Sequence, residues 1–274
     1  MAESHRLGPD RANYPVGLLD LEDPPSLFVV GNLRQESGVA VVGTRRCTRY
    51  GLDLAQRFGS VLAKCGWSTV SGLARGIDAA AHQGALESGG HAVAVLGCGI
   101  DVVYPKENER LFDRVSQTGA LLSEYPPGTP PDRWRFPARN RIIAAISSAV
   151  VVVEAAEKGG ALITARLAAE IGRPVFVVPG DIDRKASVGC NRLIRDGAFP
   201  VLGPDDLVEE LSLIMGPPPR GSLQSGNATI PSEGLLLDEL PHIWSCSPSE
   251  ALSRVGRMEM DGQIVRSGDR IVPR

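Results

Sequence analysis

The sequence predicts an α/β protein with an extended Rossmann-like, mostly parallel sheet that helices cover on both faces. Short valine-rich runs alternate along the chain with longer segments of helical pattern, which is typical of doubly wound α/β domains. The runs lack polar alternation, and this predicts strands that are buried on both faces. The runs lie at 38–43, 68–72, 91–97, 148–155 and 174–180.

Helical patterns fill the intervals between these runs. We expect helices at about 50–65, 76–88, 107–117, 138–147 and 161–171, and a further helix at 191–196. In folds of this kind, ligand sites lie at the carboxyl ends of the parallel strands. The loops that follow the predicted strands are therefore the first place to look for function.

A composition change divides the chain near its C-terminal end. Residues 216–233 are rich in proline, glycine and serine, which predicts a linker. The linker would separate a Rossmann-like domain at 1–215 from a small unit at 234–274. Two helical segments and a hairpin turning at 267–269 predict a shortened winged-helix-like domain. Since acids slightly outnumber arginines in this unit, a protein contact is at least as well supported there as DNA binding.

Composition narrows the possible functions. The 274 residues carry a net charge of −3, so any nucleic-acid site has to be a local basic patch. The longest apolar run, 149–153, is too short to span a bilayer, and residues 1–26 lack the apolar core of a signal peptide. The five cysteines are scattered, which is typical of reduced cytoplasmic thiols. We expect neither a metal site nor a cofactor.

Glycine-containing turns follow the predicted strands. Backbone N–H groups at such turns and at helix starts favour anions, and nearby cations add charge. Taken singly, each turn is explained equally well by a tight strand-to-helix connection with a solvated cation. Taken together, the turns predict a basic, glycine-lined rim along one edge of the sheet. Its candidate residues are Gly43, Thr44, Arg45, Arg75, Lys158, Gly159 and Gly160.

The strongest local signal is the segment at 133–141. It contains four arginines and no acid, with Trp134 and Phe136 between them. Guanidinium groups bind phosphates bidentately, and aromatic faces stack on unpaired bases. This combination favours a single strand over a duplex. Core packing is the favoured role for each ring taken alone, although Phe136 is also a candidate DNA contact.

Several motifs, in order along the chain, resemble the DprA/Smf family of DNA-processing proteins. They include SGLARGID at 71–78, FPARNRIIAAIS at 136–147, VVEAAEKGGALITA at 152–165 and GCNRLIRDGA at 189–198. The resemblance covers roughly residues 14–211. It implies an extended Rossmann fold that dimerises and binds single-stranded DNA in a positively charged pocket with little sequence preference. It also implies protection of incoming DNA and loading of the RecA recombinase during natural transformation.

The resemblance further implies which residues contact DNA and what kind of protein this is. By position, the implied DNA contacts are Arg45, Arg75, Arg139, Asn140, Arg141 and Lys158. We expect a cytoplasmic protein without enzymatic activity. The sequence departs from the family pattern in lacking its usual N-terminal helical domain. It also carries glycine, glycine and alanine at 159–161, where Ser-Gly-Ser is common, so two hydroxyl donors are missing.

Two other functions on the same fold stay open. Nucleotide phosphoribohydrolases have a similar fold shape and a PGGxGTxxE-type signature that places a carboxylate beside a phosphate loop. In this sequence the corresponding helix opens at 159–164 and its first acid is Glu170. A general base is therefore not placed for hydrolysis. A sensor that binds a free nucleotide through the same turns is the second alternative.

Overall fold

The computed structural model describes residues 4–34, 38–218, 234–243, 248–260, 262 and 264–273. It divides the chain into two compact units, Met1–Ser222 and Leu223–Arg274. Most of the predicted linker, residues 219–233, lies outside the described part. Among the described residues, no helix is both long and apolar enough to cross a membrane.

A nine-stranded sheet forms the centre of the larger unit. Its strands are β1 (His5–Leu7), β2 (Leu27–Gly31), β3 (Gly38–Val42), β4 (Ser68–Ser71), β5 (Ala92–Leu96), β6 (Ala120–Ser123), β7 (Ser147–Val152), β8 (Val175–Val177) and β9 (Phe199–Pro200). Their order across the sheet is β1-β2-β6-β5-β4-β3-β7-β8-β9. Strands β3 to β9 pair in parallel, and β1 and β2 add an antiparallel edge. The predicted fold class is confirmed.

In the described part of the larger unit, seven α-helices accompany this sheet. They are α1 (Arg49–Cys65), α2 (Ile77–Glu87), α3 (Glu109–Thr118), α4 (Arg135–Ala145), α5 (Gly160–Glu170), α6 (Val188–Arg195) and α7 (Pro204–Met215). Helix α1 packs on α2, and α4 packs on α5. Every residue of β3, β4 and β5 is buried. This burial explains why the central strands have no polar alternation in the sequence.

The sequence analysis missed several elements. Strands β2 and β6 lie on the antiparallel side of the sheet, and β9 is only two residues long. Helix α7 was also missed, although its start carries a recognisable signal. Pro204 occupies the first turn and two acids follow it, a pattern that favours a helix N-terminus.

The described residues of the smaller unit form two helices and a three-stranded sheet. Its elements are β10 (Leu235–Leu236), α8 (Leu240–Ile243), α9 (Pro248–Met260), β11 (Ile264–Ser267) and β12 (Arg270–Pro273). Strand β12 lies between β10 and β11. The helix, helix and hairpin follow one another in the predicted order, whereas β10 was not anticipated. Five buried apolar residues form its core: Leu240, Ala251, Val255, Ile264 and Ile271.

The strand order creates a crevice between β3 and β7. These neighbours are parallel, but the chain leaves β3 towards β4 on one side and leaves β7 towards β8 on the other. The order β5-β4-β3-β7-β8-β9 is that of a Rossmann sheet, and such a reversal is where its ligand crevice opens. The loops after β3 and β7 are therefore held face to face at the carboxyl edge.

The imidazole of His82 is buried within α2. Its Nε2 lies 3.2 Å from the carbonyl oxygen of Val93, and its Nδ1 has no hydrogen-bond partner in the described part of the chain. Burial lowers the pKa of His82 to about 4. The histidine therefore stays neutral in the folded protein at pH values where an unfolded histidine takes up a proton.

Acid should destabilise the fold through this histidine. An unfolded histidine titrates near pH 6.5, so stability is fully present above that value and is lost as the pH falls towards 4. We expect the free energy of unfolding to drop by about 2 kcal/mol between pH 7 and pH 5 from this group. Urea denaturation at the two pH values measures the drop. The variant His82→Gln should lack this component, and an unchanged pH dependence in the variant contradicts the assignment.

Candidate nucleic-acid interface

A groove of about 920 Å³ opens between the ends of β3 and β7. Its walls come from the loop after β3, the start of α4 and the loop that leads into α5. Residues from all three segments line it, among them Thr44, Arg45, Arg46, Arg133, Phe136, Asn140, Lys158, Gly159 and Gly160. The structure thus brings together residues that are more than a hundred positions apart in the sequence.

Four exposed cations line this groove without a described acid as a partner. They are Arg45, Arg46, Arg133 and Lys158. Two acids also line the groove, and both are engaged elsewhere. Glu157 pairs with Arg192 at 2.8 Å, and Asp78 is buried. The groove surface is therefore positive. Sequence analysis had not named Arg46 or Arg133 as contacts, although their clustering with neighbouring arginines was visible.

The loop after β3 is held in place by the end of β7. The N–H of Thr44 donates to the carbonyl oxygen of Glu154 at 2.8 Å. The carboxylate of Glu154 accepts from the N–H of Thr48 at 2.8 Å and from its hydroxyl at 2.5 Å. A Cβ at Gly43 would lie 2.4 Å from the side chain of Ile77, so only glycine fits there. These contacts fix the backbone from which Arg45 and Arg46 project.

The N-terminus of α5 is open to the groove. No side chain caps this helix, so the N–H groups of its first turn have no side-chain partner and are left as donors. Asn140 donates from Nδ2 to the carbonyl oxygen of Gly160 at 3.1 Å, and its Oδ1 accepts from Nε of Arg139 at 3.1 Å. Asn140 thereby positions the helix start. With Lys158 nearby, the open N–H groups form a site suited to an anion.

An aromatic pair lies on the α4 side of the groove. The rings of Tyr104 and Phe136 stack with centres 5.3 Å apart, and the Arg45 guanidinium lies 4.9 Å from the Phe136 ring centre. A Cβ at Gly97 would lie 2.8 Å from the Phe136 ring, which explains the need for glycine in that turn. Tyr104 is 39% exposed. The sequence analysis did not name it as a contact.

Arg139 lines the groove, but its side chain also holds the protein interior together. It is only 4% exposed, and its Nη1 donates to the carbonyl oxygens of Gly72 (2.8 Å) and Val95. Its Nη2 lies 3.9 Å from the Asp78 carboxylate. Burial lowers the pKa of Arg139 to about 10 and raises that of Asp78. Arg139 therefore joins the ends of β4 and β5 to the start of α2, and its DNA contact stays a prediction.

The structure also shows the surroundings of three other residues that the sequence analysis singled out. Arg141 pairs with Glu124 and is not part of the groove lining. Arg75 pairs with Glu107 and lines a smaller pocket of about 230 Å³, which also includes Arg45 and Arg46. The prediction that Trp134 packs in the core is wrong, because this side chain is 58% exposed.

Residues 5–212 match the family model described as DNA recombination-mediator protein A. The chain belongs to this family. Protein Smf of Synechocystis is 45% identical over 215 residues, which are 76% of this chain and 54% of that protein. The DNA processing protein DprA of Bacillus subtilis is 41% identical over 202 residues, or 72% of this chain and 68% of that protein. The chain thus spans about half the length of the Synechocystis relative.

Two solved DprA structures have the same fold. DprA from Streptococcus pneumoniae aligns with a TM-score of 0.73 and 43% identity over 76% of this chain and 74% of that one. DprA from Helicobacter pylori aligns with a TM-score of 0.70 and 32% identity over 77% of this chain and 96% of that one. The Helicobacter protein is described as having a unique single-stranded DNA binding mode.

Removing the Arg139 side chain should destabilise the fold. In Arg139→Ala the buried Asp78 carboxylate loses its cationic neighbour, and two buried carbonyl oxygens lose a donor. Breaking a buried ion pair on one side costs about 3–5 kcal/mol. Urea denaturation monitored by circular dichroism measures the loss. The exposed neighbour variant Arg46→Ala should unfold at nearly the wild-type urea concentration. Equal stability of the two variants would show that Arg139 has no structural role.

Proposed function

We propose that this protein binds single-stranded DNA, without sequence preference, in the groove between β3 and β7. The observation that carries the proposal is the convergence of four cations on one groove without described acid partners. Arginine and lysine bind phosphate oxygens strongly, and the backbone of a DNA strand offers one phosphate anion after another to such a row of cations. The Helicobacter relative, described by its single-stranded DNA binding mode, supports the same assignment.

The contacts divide by chemistry. We assign the phosphates to Arg45, Arg46, Arg133, Lys158 and the open start of α5. Because residues 159 and 160 are glycines, backbone N–H groups have to supply the hydrogen bonds at that point. The Tyr104–Phe136 pair offers aromatic surface to a base. Bases of a single strand are free to reach such a surface, whereas duplex bases are paired and stacked.

We propose further that binding is not followed by hydrolysis. A general base needs a carboxylate or imidazole within hydrogen-bond reach of the reacting group. The Asp78 carboxylate, which lines the groove, accepts from the N–H groups of Gly72 and Ala74 and adjoins buried Arg139. Glu157 is paired with Arg192.

A thermal-shift screen separates this function from a nucleotide sensor: stabilisation by a mononucleotide but not by an oligonucleotide would favour the sensor.

The biological setting is also part of the proposal. The family name, a recombination mediator, supports loading of RecA onto the bound strand and protection of DNA during natural transformation. Stimulation of RecA strand exchange on coated single strands tests the loading step. We propose a homodimer, since two apolar side chains at the sheet edge are exposed: Phe199, in the edge strand β9, to 51%, and Leu202, just after it, to 80%. Sedimentation equilibrium tests the proposed dimer.

The four described cysteines are free thiols, which supports a cytoplasmic location.

Loss of one groove cation should weaken binding to all sequences alike. We expect Arg45→Ala or Lys158→Ala to reduce the affinity for oligo-dT and for mixed-sequence strands by the same factor. Each lost phosphate contact should also flatten the log–log salt dependence by about 0.7. Fluorescence anisotropy with a labelled strand, measured over a range of salt concentrations, gives both quantities.

The control is Arg114→Ala, which removes an exposed arginine from α3, outside the groove lining. Its net charge matches that of the test variants, so a general loss of electrostatic attraction would appear in it too. We expect its salt slope to equal that of the wild type. A duplex of the same length should bind more weakly than oligo-dT. Wild-type affinity in both groove variants, or a loss confined to one sequence, would contradict the proposal.

A further inference from the structure

Trp134 is an exposed aromatic ring that its neighbours hold in place. Its indole Nε1 donates to the Asp132 carboxylate at 2.9 Å. The Arg135 guanidinium lies 5.2 Å from the indole ring centre, and Tyr125 meets the indole edge-on with ring centres 6.1 Å apart. The residue nevertheless remains 58% exposed. These neighbours therefore orient the indole and leave much of its surface open.

Trp134 lies in the chain between two residues of the groove wall. Arg133 precedes Trp134 and Phe136 follows two positions later, and both line the groove. Consecutive Cα atoms are 3.8 Å apart, so the backbone of Trp134 lies within about 8 Å of both residues. A DNA strand that leaves the groove past Arg133 would therefore pass close to the backbone of Trp134.

We infer that Trp134 is a stacking platform for an unpaired base of the strand just outside the groove. The inference rests on the proposed single-stranded DNA binding and adds a second base contact, outside the groove, to the one assigned to Tyr104 and Phe136. An open indole face stacks on any base. The Arg135 guanidinium, 5.0 Å from the Tyr125 ring centre and close to the indole, keeps positive charge beside the platform.

Exposed tryptophan and arginine are also typical of protein-binding hot spots. Two observations favour DNA as the occupant. Trp134 directly follows Arg133, which lines the cationic groove. Arg133 has no described acid as a partner. A phosphate bound at Arg133 would place the adjoining base near the indole. A protein partner is then the alternative that the experiment has to exclude.

Tryptophan fluorescence tests the platform directly in the full chain. The substitution Trp244→Phe supplies a background in which the remaining tryptophans are Trp134 and Trp67, which is only 2% exposed. In this background we expect oligo-dT to quench the emission. Adding Trp134→Phe should abolish the quenching but keep the affinity within about threefold, because phenylalanine still stacks. Anisotropy of the labelled strand reports binding independently in each sample.

Affinity supplies the second arm of the test. Trp134→Ala should weaken oligo-dT binding about tenfold and leave the affinity for an abasic strand of equal length unchanged, since only the stacking contact is lost. Binding without quenching, or an equal loss for the abasic strand, overturns the platform. Wild-type affinity in Trp134→Ala overturns it as well and points to a protein contact. No anisotropy change with any strand instead overturns the proposed function, and the inference with it.

Discussion

The structure depends on the switch point between the parallel strands β3 and β7, from which the chain continues to opposite sides of the sheet. Both strands end at the same edge of the sheet. The helices that follow them, α1 and α5, differ in how their N-termini are capped there. The start of α1 is satisfied internally, because the Thr48 side chain accepts from the N–H of Gly51 and is itself fixed by Glu154. The start of α5 has no side-chain cap. One helix start is thus closed by the protein and the other is left open for an anion.

A groove lined by cations carries an electrostatic cost in the free protein. Like charges repel one another, and the described acids that could offset them are buried or paired elsewhere. This repulsion between cations also acts on a buried residue, because the charge of Arg45 contributes to the lowered pKa of Arg139. A protein whose net charge is −3 thus concentrates positive charge at one place. Local imbalance of this kind is expected at a binding site and uncommon elsewhere.

Helix geometry separates the roles of neighbouring residues in α4. Phe136, Asn140 and Ile143 are spaced by four and three positions and line the groove together. Arg139, three residues after Phe136, also lines the groove but is almost fully buried, whereas Arg141 pairs with Glu124. The helix includes Pro137 in its first turn, where no internal N–H bond is lost. The helix had been expected to begin only at 138, and its earlier start brings Phe136 onto the same face as Asn140.

The sequence by itself determined the fold class, most of the central strands and helices, and the edge of the sheet where the cationic groove lies. Hydrophobic runs and glycine turns record burial and backbone conformation, which are local properties. It also identified the segments that supply the groove cations. It could not assign individual arginines, because Arg133, Arg139 and Arg141 have the same chemistry in a line of text. Only the tertiary structure decided that Arg139 is enclosed by carbonyl oxygens, that Arg141 is paired, and that Arg133 and Trp134 are open. Burial and partners come from distant parts of the chain, and those contacts exist only once the sheet has formed.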